Sequence, residues 1–211
     1  YRAGAGKVTV EWSHQSVTKL KYKYEKEEVL SNVMKWEVER METYTKELPA
    51  MLHIISEDPD GLAGIDQEKF TRARIGRMKV LKPYNDAMEN RYQWCIAAVP
   101  GKAWAKKVFP SMQVNRAVEA LWDAILKASR ADGPDPVREW ARHNDTIGGR
   151  CDYLNRLGLV SLEYKAGNGT DFKVGLIPEG LFAGGGENTL SGRYFNPNIP
   201  SEEIFTSPKA V

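Results

Sequence analysis

Near the end of the chain, Asn196-Pro197-Asn198-Ile199-Pro200-Ser201-Glu202-Glu203-Ile204-Phe205-Thr206-Ser207-Pro208 sets two adjacent carboxylates among prolines. The prolines bar a long helix here. In an extended chain neighbouring side chains point to opposite sides, so one carboxylate can face inward while the other meets solvent. A carboxylate turned inward beside Phe205 needs a cation, either a metal ion or an Arg/Lys partner. On the residues alone a solvated acidic loop is the favoured reading, because Glu-Glu pairs are common on surfaces.

Other residues with chemical potential are weaker candidates. Gly4-Ala5-Gly6-Lys7 lacks the earlier Gly and the following Ser or Thr of a phosphate loop, since position 1 is Tyr and position 8 is Val. It reads as a segment entering a strand. The histidines are His14, His53 and His143, and none has a partner at the helical spacing of a metalloprotease motif. His53 lies in an apolar run and is expected to be a satisfied core residue. No Gly-x-Ser-x-Gly elbow is present, and Cys95 falls in an expected core strand, so nucleophilic catalysis has no local support. Cys95 and Cys151 form no Cys-x-x-Cys and read as free thiols of a reducing cytosol. The six Trp fall mostly on inner faces, which favours packing over base or sugar stacking. The Gly184-Gly185-Gly186 and Asn196-Asn198 loops are explained as well by turns as by a substrate cavity, and are not assigned to a site.

These residues must be held by a folded chain. With 42% apolar and 27% charged residues, the composition is that of a globular protein. A net charge of +2 with interspersed signs offers no basic face for nucleic acid. No apolar run approaches the ~20 residues of a membrane span. The start shows neither an initiator Met nor signal-peptide order, so the chain is expected to begin inside a longer protein.

Alternation of Val8, Val10 and Trp12 predicts a strand over Lys7–Trp12. A Gly- and Pro-free stretch with Leu30, Val33, Met34, Met41 and Tyr44 at helical spacing predicts one helix over Glu27–Glu47. Ala50–Ser56 reads as a buried strand, Asp66–Asn90 as a helix bent or broken at Pro83, and Trp94–Val99 as a second apolar strand. Val118, Leu121, Trp122 and Ile125 mark a further helix. Asp135-Pro136 caps another, with Trp140, Ile147, Cys151 and Leu154 on its inner stripe and Gly148-Gly149 weakening its middle. From Gly158 the pattern changes to a hairpin, with Val160, Leu162 and Tyr164 against Phe172, Val174 and Leu176 around Gly167-Asn168-Gly169. The fold class is therefore α/β: a mainly parallel sheet flanked by helices, followed by antiparallel β structure.

At this point the sequence resembles a known family, the M29 metalloaminopeptidases of the aminopeptidase T and aminopeptidase S type. Besides the acidic tail, Pro100-Gly101-Lys102-Ala103-Trp104-Ala105-Lys106-Lys107-Val108-Phe109-Pro110 is similar to a family stretch. Leu121-Trp122-Asp123-Ala124-Ile125, Arg130-Ala131-Asp132, Asp135-Pro136 with Trp140, Tyr153-Leu154-Asn155, and Gly169-Thr170-Asp171 with Val174-Gly175-Leu176 follow in the family's order.

The resemblance implies a cytoplasmic, homodimeric enzyme that removes N-terminal residues from small peptides, using two divalent ions, zinc or cobalt. Such a pair, about 3.5–4 Å apart, activates a water and polarises the scissile carbonyl. Carried over residue by residue, the resemblance implies one metal ligand, Glu203, and no role for Glu202. Family members extend beyond both ends of this chain. Residues 1–157 are then an N-terminal α/β domain lacking its first strand and helix, and 158–211 the beginning of the catalytic domain, with the other ligands beyond Val211. On that view this portion by itself is inactive. The alternative is a non-catalytic binding or assembly domain of the same fold.

Overall fold

The structure is a computed structural model that describes Arg2 and residues 4–209. Tyr1, Ala3, Ala210 and Val211, and with them the sequence reading of the chain's two ends, lie outside the described residues. Two compact units are formed. One runs to Leu48 and takes in Ser56–Glu89 and Gly101–Val118; the other comprises Pro49–Ile55, Asn90–Pro100 and the chain from Glu119.

The first unit is helical, with α1 (Gln15–Tyr24), α2 (Glu27–Ser31), α3 (Lys35–Glu47), α4 (Gln67–Met88) and α5 (Lys102–Val108). Both α2 and α3 pack on α4. At the α2–α4 crossing Gly76 comes so close that a Cβ on it would lie 2.8 Å from Ser31 Cβ. The single helix expected over 27–47 is broken at residues 32–34. There the Glu37 carboxylate accepts the Met34 N–H at 2.9 Å, capping α3, and Arg77 donates to the Asn32 carbonyl at 2.6 Å and to Glu37 at 2.5 Å. Helix α4 starts where expected, Asp66 accepting from Lys69 N, but continues through Pro83 unbroken. The strand expected over Lys7–Trp12 is absent: these residues are irregular, and Trp12 is 91% exposed. Alternation alone does not make a strand, because the backbone needs a paired neighbour, and among the described residues none pairs with this segment.

In the second unit β1 (Met51–Ile55) and β2 (Trp94–Ala98) pair in parallel, Met51 opposite Trp94 through Ile55 opposite Ala98. The connection between them carries α4, as the strand–helix–strand pattern predicts. Strand β8 (Asn198–Ile199) pairs in parallel with the other side of β2, giving the order β1-β2-β8. Among the described residues β1 has a strand neighbour on one side, and it is largely exposed, not buried as expected: Leu52, Ile54 and His53 all meet solvent, so His53 is not buried in a core here. Trp12 and Trp36 are likewise exposed, while the other four Trp are half-buried.

Helix α6 spans Val114–Ala128, and α7 (Pro136–Arg156) starts at Asp135, which accepts from Arg138 N. Gly148-Gly149 do not interrupt α7. The hairpin β3 (Ser161–Lys165) and β4 (Asp171–Gly175) is antiparallel, with Leu162 opposite Val174 and Tyr164 opposite Phe172. Short antiparallel pairs follow: β5 (Ala183–Gly184) with β9 (Ile204–Phe205), and β6 (Glu187–Asn188) with β7 (Tyr194–Phe195). Ile147, Cys151, Leu176 and Phe182 are buried here. The fold is α/β, as read from the sequence. Among the described residues no helix is long and apolar enough to cross a membrane.

Candidate functional site

The acidic tail is tied down along its length. Ile96 N donates to Pro197 O at 2.8 Å, seating β8 on β2. Ser201 follows, 3% exposed, and its carbonyl lies 2.6 Å from His143 Nε2. A carbonyl only accepts, so His143 carries a proton on Nε2. Beyond the carboxylates Ile204 pairs with Gly184 and Phe205 with Ala183, and Lys209 N donates to Gly175 O at 2.8 Å.

Glu202 and Glu203 are both exposed, as the favoured reading of a solvated acidic loop expects, and neither turns inward within this chain. Glu203 precedes β9 rather than lying in a strand, and its carboxylate curls back to accept the Glu202 N–H at 3.0 Å. Glu202, to which the sequence assigned no role, is ion-paired with Arg130, and its second oxygen is 3.9 Å from His143 Nε2. The Arg130 guanidinium bonded to it holds the Glu202 carboxyl below the usual carboxylate range. Partial burial opposes this, and the charges of Arg130, His143 and Arg150 reinforce it.

His143 was not singled out by sequence, although its position completes the inner stripe of α7 with Trp140, Ile147 and Cys151. It is buried at 8% exposure, with Trp140 edge-on at 5.4 Å. Trp140 Nε1 in turn donates to Ser129 O at 2.7 Å, next to Arg130.

The glycine loop lies against this segment. Two open cavities of about 350 and 390 Å³ share Gly148, Gly184 and Gly186. Cys151, Asp152 and Glu187 line the first, Asn144, Asp145 and Tyr194 the second. Burial, and then the charge of Asp152, push the Cys151 thiol up, which leaves it a poor nucleophile. Among the described residues no three His, Cys, Asp or Glu are grouped so as to hold a metal ion. Glu203, an exposed carboxylate, fits one oxygen position in the shell of a divalent cation such as zinc and no more.

Comparison with known proteins decides the family. A model of thermophilic metalloproteases, family M29, matches residues 1–211.

The chain belongs to the M29 family.

Among the relatives of this M29 chain, Aminopeptidase T of Thermus thermophilus is 37% identical over 209 residues, covering 99% of this chain and 51% of the relative. Aminopeptidase 2 of Geobacillus stearothermophilus is 35% identical, covering 99% of this chain and 50% of the relative. The solved structure of wild-type AmpT from Thermus thermophilus superposes with a TM-score of 0.85 at 34% identity, over 99% of this chain and 51% of that one. The chain spans about half the length of the curated relatives it matches.

Proposed function

We propose that the whole protein is a metal-dependent aminopeptidase and that Glu203 is one of its metal ligands. The observation that carries this is the presentation of Glu203: its side chain is exposed while the backbone is bonded at Ser201 on one side and at Ile204 on the other. A preorganised carboxylate of this kind, in a chain whose relatives are aminopeptidases, is what a metal-ligand position requires. In this reading residues 158–211 open the catalytic domain that follows an N-terminal α/β domain over 1–157.

The finer reading is of two ions, zinc or cobalt, acting on small peptides in a cytoplasmic homodimer. When bound, such ions lower the pKa of a water and polarise the scissile carbonyl. This chain's part is to supply charge and position through Glu203. The remaining ligands lie elsewhere in the whole protein, and the 211 residues alone are inactive.

The second reading is a non-catalytic binding or assembly domain of the same fold. Release of N-terminal amino acids from short peptides by the full-length protein, abolished by a chelator and restored by zinc or cobalt, is the expected result. Chelator-insensitive peptide binding without release favours the second reading and overturns the first.

A further inference from the structure

Arg130 stands where a helix end prefers glycine. After α6, Ala131 N donates to Leu126 O at 2.8 Å and Arg130 N to Lys127 O at 3.1 Å, closing the last turn. The residue in the middle of that closure takes φ 52°, the left-handed conformation that a Cβ disfavours. An arginine held there at a conformational cost calls for a compensating contact, and its guanidinium has one in the Glu202 carboxylate.

A second hold comes from α7. His143 is buried, steadied by the edge-on Trp140, and its Nε2 meets the Ser201 carbonyl. Trp140 is bonded to Ser129 O, so α7 is also tied to the turn that carries Arg130. The two holds therefore act on consecutive residues, Ser201 and Glu202, immediately before Glu203. The next residue, Ile204, is fixed from the other side by Gly184.

We propose that Arg130 and His143 are positioning residues for Glu203. They clamp the peptide in front of it so that its exposed carboxylate is offered to a divalent cation in one orientation. This rests on the reading of Glu203 as a metal ligand. Partners bonded directly to a metal ligand typically change metal affinity by about 10–100-fold when removed; Arg130 and His143 act through the residues before Glu203, so the lower end of that range is expected.

The test uses the full-length protein, with zinc alone as the probe. Arg130→Gly relieves the left-handed strain, so Tm is expected to hold or rise while zinc affinity falls about tenfold or more. A merely structural role predicts that stability and affinity move together. His143→Leu is expected to weaken zinc binding similarly, and His143→Gln, which keeps a donor toward the Ser201 carbonyl, to recover most of it. In the metal-free protein, amide exchange at Ile204 and Phe205 is expected to accelerate in Arg130→Gly and His143→Leu. Zinc affinity within about twofold of wild type in Arg130→Gly overturns the proposal, as does His143→Gln losing as much as His143→Leu. If Glu203→Gln itself leaves zinc binding intact, the ligand reading fails. The exchange rates then still decide whether Arg130 and His143 hold the segment.

Discussion

Gly184 faces the carbonyl oxygen of Glu203 across the β5–β9 pair, with no room for a side chain between them: a Cβ on Gly184 would stand well inside 3.0 Å of that oxygen. Ile147, itself 1% exposed, closes the same space from α7. Neither neighbour is the free end of a flexible side chain. Gly184→Ala must therefore displace β9 and Glu203 with it. The expected cost is about 1–3 kcal/mol of stability, with weakened metal binding in the full-length protein. Calorimetry and zinc titration check this, and a Gly184→Ala protein as stable as wild type contradicts the packing described.

Glu37 gives a pH prediction. Burial opposes its ionisation, but the Arg77 bond, the Met34 N–H and the charges of Arg77 and Arg40 outweigh it, so its pKa lies below the usual value. Stability from such a carboxylate is complete above the unfolded pKa of about 4.3 and is lost as pH falls through the lowered folded value. Glu37→Gln is expected to cost about 1–2 kcal/mol at pH 7. The difference from wild type should shrink steadily once the pH is taken below about 4.3. Denaturant unfolding across that range is the check, and a difference that widens on acidification refutes the assignment.

Two helix glycines should respond to alanine with opposite signs. Gly149 lies exposed in α7 with nothing within 4 Å of an added Cβ, so Gly149→Ala should stabilise by about 0.5–1 kcal/mol. Gly76 has the same intrinsic preference, but its Cβ would meet Ser31, so Gly76→Ala should destabilise by about 1–3 kcal/mol. Thermal unfolding of the two variants side by side separates local propensity from packing.

What the sequence made legible was local. The helix start near Asp66, the Asp135-Pro136 start, the Gly167–Gly169 hairpin and the strand segments at 51–55 and 94–98 follow from short-range rules, and each is present. What was missed depends on distant partners. The break at Asn32 is bonded to Arg77, far along the chain, and His143 meets Ser201 from another element. The exposure of His53 depends on what packs over the faces of its strand, which no periodicity reports. Glu203 was reached through family resemblance, since the acidic pair by itself looks like ordinary surface. The structure adds what that resemblance lacked, an ion pair from Glu202 to Arg130 and a backbone held on both sides.

The central claim is that Glu203 holds metal in the whole protein. Metal content and zinc affinity of the full-length protein, wild type against Glu203→Gln, test it most directly. Expected are two ions per wild-type chain and, in a folded Glu203→Gln variant, zinc binding weakened by about tenfold or more. Equal metal content and equal affinity in the two proteins would contradict the account.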